Sequence, residues 1–145
     1  MNRLSRLSLL ATATVALLLG GCAESPYDDV HAAPREIQAW ENADISDYDK
    51  SQLLVHLNML ADESQKAAAA AAYVEFHHLE VALTPTLEAL EIKAAGNEKA
   101  LATIGVLKPL ATKLHLAGHD GNVPMGTKLA ASIADLSRRL ATEMQ

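Results

Sequence analysis

The stretch from Lys50 to Leu83 contains neither glycine nor proline, and no other property of the chain restricts its fold as strongly. Apolar or small residues recur there at Leu53, Leu57, Leu60, Ser64, Ala67, Ala71, Val74, His78 and Val81. The steps alternate four and three, which is the seam of a packed helix. Asp47 or Asp49 stands where a cap is needed. The spacing therefore predicts one helix over residues 50–83, about 50 Å long at 1.5 Å per residue. At its centre lies an unbroken run of alanines, Ala67 to Ala72, suited to close helix approach.

Further helices follow. Thr84-Pro85 reads as the end of the first helix and the start of a second, because proline disfavours helical geometry in the residue before it and suits a first helical position. The second runs to about Ala95, where Gly96 closes it and Asn97 caps the next. The third reaches about Ala117 through Leu101, Ile104, Leu107, Ala111 and Leu114, kinked at Pro109. Residues 118–126 read as a loop with three glycines and Pro124. A last helix covers about Thr127 to Glu143, with Leu129, Ile133, Leu136 and Leu140 on one face. No segment alternates with period two, so the fold class is all-α. The expected form is an antiparallel bundle of three to four helices, with the long helix 50–83 and a proline-broken return. Twenty-seven alanines and 23 leucines among 145 residues agree with this, and 3% aromatics leave an aliphatic core.

Before Lys50 the character changes. Arg3 and Arg6 precede a largely apolar run, Leu7 to Leu19, too short for the ~20 residues a membrane-spanning helix needs. The run ends in Leu19-Gly20-Gly21-Cys22, which holds the chain's one cysteine. These residues resemble the lipobox of a bacterial lipoprotein precursor. The resemblance implies a signal peptide over residues 1–21, cleavage after Gly21, a diacylated Cys22 sulfur and an acylated amine, palmitate being the expected chain. It also implies a protein held on the membrane by its acyl chains. Ala23 in place of aspartate implies the outer membrane, facing the periplasm, in a Gram-negative host.

Residues 22–33 then read as a lipidated acidic tether and 34–145 as the bundle domain. From Glu24 to Asp49 eight acids stand against Arg35 alone. Pro34 opens a short helix in which Ile37 and Trp40 share one face, with Trp40 packing across the body. The net charge of −6 speaks against nucleic acid as a partner. A lone cysteine excludes an internal disulfide, a zinc ribbon and covalent haem attachment.

No serine-nucleophile elbow, phosphate-binding glycine loop or His-Glu-x-x-His motif is present, and no catalytic residue is assigned. Glu75-Phe76-His77-His78 holds a single Glu-x-x-His where a di-iron bundle needs two. The sequence thus points to a non-enzymatic structural or accessory lipoprotein that binds another envelope protein. The alternative is a periplasmic metal- or haem-binding bundle that uses histidine. Six histidines are available, of which His78 falls on the seam and His77 outside it beside Glu80. A hairpin turning at residues 84–85 pairs positions summing to roughly 169, which sets His56 near His115. The same register puts His119 and Asp120 near Asp47 and Asp49. His56, His115 and His119 are therefore the expected ligands of a divalent transition metal.

Overall fold

The computed structural model describes residues 35–145, so Cys22, His31, the signal peptide and the tether lie outside the described residues. A short 3-10 turn, Ala39–Asn42, precedes four α-helices: α1 (Lys50–Ala69), α2 (Tyr73–Lys93), α3 (Glu98–His119) and α4 (Val123–Glu143). There is no strand among the described residues, and no helix there is long and apolar enough to cross a membrane. Helix α1 packs on α2 and α4, and α3 packs on the same two. With connections of three or four residues, neighbours run antiparallel and close a four-helix bundle.

The long first helix is not continuous. Its seam holds through Leu53, Leu57, Leu60, Ser64 and Ala67, all buried, and then ends. Ala72 N–H donates to Ala67 O (2.8 Å) and Ala71 N–H to Ala68 O (3.2 Å), the bond pair of a Schellman stop. Ala71 takes the left-handed position, at φ 53°, that glycine usually occupies. Val81, assigned to the seam, is 57% exposed. The physical reason is burial. An alanine run gives one continuous helix little to bury, whereas a turn there folds Phe76, Leu79, Leu83, Leu87 and Leu90 back onto α1, where all five are buried.

Pro85 accordingly lies inside α2 instead of opening a helix, and Pro109 lies inside α3. Both are exposed. Each deprives the carbonyl four residues earlier of its donor, and those carbonyls belong to Val81 and Gly105, both exposed, so the lost bond is not a buried one. The expected loop at 118–126 is also corrected. Helix α3 continues to His119, and α4 starts at Val123 after a turn at Gly121 (φ 58°), with Asn122 Oδ1 accepting from Met125 N–H.

Gly118 and Gly126 are packing notches inside helices. A Cβ on Gly118 would sit 2.8 Å from the Tyr73 carbonyl oxygen, and one on Gly126 2.1 Å from the Phe76 ring. Phe76 thereby reaches across the bundle and is fully buried.

Other sequence readings survive. Asp49 caps α1 in a reciprocal capping box with Gln52, and Asn97 Oδ1 caps α3 by accepting from Ala100 N–H. Trp40 is buried, although Ile37 does not share its face and is 70% exposed. Lys50 Nζ donates to Met144 O (2.5 Å), tying the start of α1 to the end of α4.

Candidate metal centre

The α2–α3 hairpin turns at residues 94–97, so facing positions sum to about 191 instead of 169. That places His77, in the second turn of α2, opposite the last turns of α3. His115 and His119 lie four apart on α3 and share one face because the helix continues through Gly118. The notch at Gly118 brings α3 against Tyr73, Phe76 and His77 of α2.

The result is a cluster of three imidazoles. One ligand nitrogen from each of His77, His115 and His119 lies within 4.8 Å of the others. His77 Nδ1 and His115 Nδ1 are 3.0 Å apart, and the ring centroids of His115 and His119 are 4.6 Å apart. His77 is buried, while His115 and His119 are partly open to solvent. Donors on a tetrahedral zinc ion, each about 2.0–2.1 Å from the metal, stand about 3.3 Å apart. The His77–His115 pair is close to that spacing, and all three donors lie within 4.8 Å of one another.

One carboxylate borders it, and a second acidic group lies against the adjoining His78. Glu80, one turn beyond His77, holds Oε2 3.4 Å from His115 Nδ1, and its Oε1 accepts from Thr84 Oγ1 at 3.1 Å. In that second group, Arg35 donates to Glu75 through Nε (2.8 Å) and Nη2 (2.6 Å), and to Glu41 through Nη1 and Nη2, both 2.7 Å. The Glu75 and Glu41 bonds raise the Arg35 pKa, and the Arg35 bond holds the Glu41 carboxyl below its usual range. Glu41 Oε2 also lies 3.7 Å from His78 Nδ1. Glu75 and His78 are thus engaged by the segment before α1, so the lone Glu-x-x-His serves as a docking point for that segment.

His56 does not join the cluster, contrary to the sequence-based register. It sits on α1, 7% exposed, with Tyr48 edge-on at 5.8 Å, and faces Ala82, Pro85 and Thr86 of α2. Burial lowers its pKa. His119 also lies at the opposite end of the bundle from Asp47 and Asp49, because α3 runs away from the end that α1 starts from. His77 is the residue that sequence reasoning missed. The Gly96-Asn97 turn, taken as the hairpin centre, is the signal that finds it. Comparison with protein-family models, curated proteins and solved structures returns no match to this chain.

Proposed function

We propose that this protein is a lipid-anchored envelope module that captures a divalent transition-metal ion through His77, His115 and His119. The observation that carries the reading is the three-imidazole cluster itself. Neutral imidazole suits zinc, copper and nickel, and partial exposure gives an ion a way in. Three protein donors leave a further coordination position for water or a partner's ligand. The lipobox at Leu19–Cys22 supports an anchored location, and the missing catalytic motifs support binding over catalysis. A role toward another envelope protein is compatible with this, as donor or recipient of the ion.

The test is calorimetric titration of zinc, copper(II) and nickel into the purified full chain in mild detergent. Sub-micromolar binding of one ion per chain is expected, lost in the His77→Ala, His115→Ala double variant and kept in His56→Ala. Binding that depends on His56, or no binding of any of the three ions, overturns the assignment.

A further inference from the structure

With its proton on Nδ1, His115 has two acceptors within reach. His77 Nδ1 lies at 3.0 Å and Glu80 Oε2 at 3.4 Å. A neutral imidazole carries one N–H, so only one of the two accepts from it in good geometry at a time. The shorter contact joins the two histidines. A metal ion that takes the His77 lone pair removes that acceptor, and the His115 proton then needs another. Glu80 is already placed to provide it. Its other oxygen is held by Thr84, its side chain is only 21% exposed, and it projects from the same helix as His77, one turn on.

Resting on the metal-binding reading above, we infer that Glu80 is a positioning residue of that site: it accepts the His115 Nδ1–H once the ion engages His77, and so directs His115 Nε2 at the ion. Glu80 itself stays outside the ligand set, in keeping with a mutual 4.8 Å grouping that, among the described residues, holds the three histidines. A carboxylate in this role fixes the tautomer and ring orientation of the ligand and makes its other nitrogen more basic. Loss of such a partner typically weakens metal binding about 10–100-fold. Thr84 acts one bond further out, by restraining the carboxylate.

Cobalt(II) alone is the probe, because its visible spectrum reports the donor atoms while a titration reports affinity. The full chain, Glu80→Gln, Glu80→Ala and Thr84→Val are compared, with circular dichroism verifying the helices of each. Expected are binding weakened about tenfold in Glu80→Gln, up to about a hundredfold in Glu80→Ala and less in Thr84→Val, all with the cobalt spectrum of the unaltered chain at saturation. Undiminished binding in both Glu80 variants overturns the positioning role while leaving the histidine site standing. A Glu80→Gln spectrum that has lost an oxygen donor also overturns it, since Glu80 would then be a ligand. Failure of the unaltered chain to bind cobalt overturns the metal reading and this inference together.

Discussion

Replacing Gly118 with alanine should disturb both the fold and the candidate site, and the structure sets the size of the effect. The new Cβ would meet Tyr73 O at 2.8 Å, Phe76 Cβ at 3.2 Å and His77 N at 3.3 Å. Two of these atoms are backbone and the third is bound directly to it, so no side-chain rotation relieves the contact. The α2 and α3 helices must move apart by several tenths of an ångström. Overpacking of this kind costs about 1–3 kcal/mol. Glycine to alanine within a helix returns about 0.8–1 kcal/mol, leaving a net loss of about 0–2 kcal/mol. At several degrees per kcal/mol for a domain of this size, the melting temperature should fall by about 0–10 °C. Gly105→Ala is the internal control, because nothing lies within 4 Å of its added Cβ. It should gain roughly 0.5–1 kcal/mol from propensity alone. The difference between the two variants, read by urea denaturation and thermal scans, removes the common propensity effect and reports the clash. Gly118→Ala should also weaken metal binding, since His77 and His119 flank the moved contact and such sites tolerate about 0.5 Å of misplacement. Equal stabilisation by both alanines would refute the argument that Gly118 sets the approach of α2 to α3.

Cys22→Ser should abolish acylation and processing; a serine variant still cleaved before position 22 and retained on membranes would refute the lipobox reading. Ala71→Gly should raise stability by about 1 kcal/mol, measured by urea denaturation, because it relieves a left-handed alanine. Because burial lowers the His56 pKa below 6.5, the unfolded chain binds the proton more readily, and the His56 contribution is complete above that pH. Stability should therefore fall as the pH drops from about 6.5 toward the native pKa, and urea midpoints of His56→Phe should show a smaller fall over that window. The Glu41 bond to Arg35 should contribute fully above pH 4.5 and be lost as the pH passes down through the lowered pKa, read as a smaller acid-induced loss of stability in Glu41→Gln.

The sequence was legible wherever a local rule had no competitor. The aspartate cap at Asp49, the stop at Gly96 with Asn97 after it, and the apolar face of α4 need only neighbours in the chain, and each stands as read. Sequence rules failed where tertiary burial outweighed local preference. Pro85 marks a helix start by local rule, but its orphaned carbonyl lies on a solvent-facing side, and the apolar positions beyond the proline keep the helix going, as they do past Pro109, which was read inside its helix. Ala71 carries no stop signal at all, because its left-handed turn is imposed by what α2 gains on folding back. Gly118 and Gly126 look like loop residues until Phe76 and Tyr73 occupy the space they leave. These misplacements moved the hairpin centre from residues 84–85 to 94–97. That shift alone exchanges His56 for His77 as the partner of His115. The composition of the site was readable, namely imidazoles from distant segments with a carboxylate nearby, but its membership depended on which of two sequence signals, Thr84-Pro85 or Gly96-Asn97, marks the hairpin turn.

The charges around the cluster favour the proposed cation. Three neutral imidazoles contribute no charge, so a divalent ion among them would stand uncompensated in a partly desolvated place, which is costly. Glu80 supplies one negative charge directly beside His115. Glu41 and Glu75 share the single cation Arg35, a group of net charge −1 that reaches His78, the neighbour of His77. Arg35 also fixes where the preceding chain joins the bundle, at the histidine end instead of the Lys50–Met144 end. On the lipoprotein reading, the thirteen residue steps from Cys22 to Arg35 span at most about 45 Å. That reach exceeds the length of a 20-residue helix, about 30 Å, so on that reading the tether would leave either end of the bundle free to face the membrane.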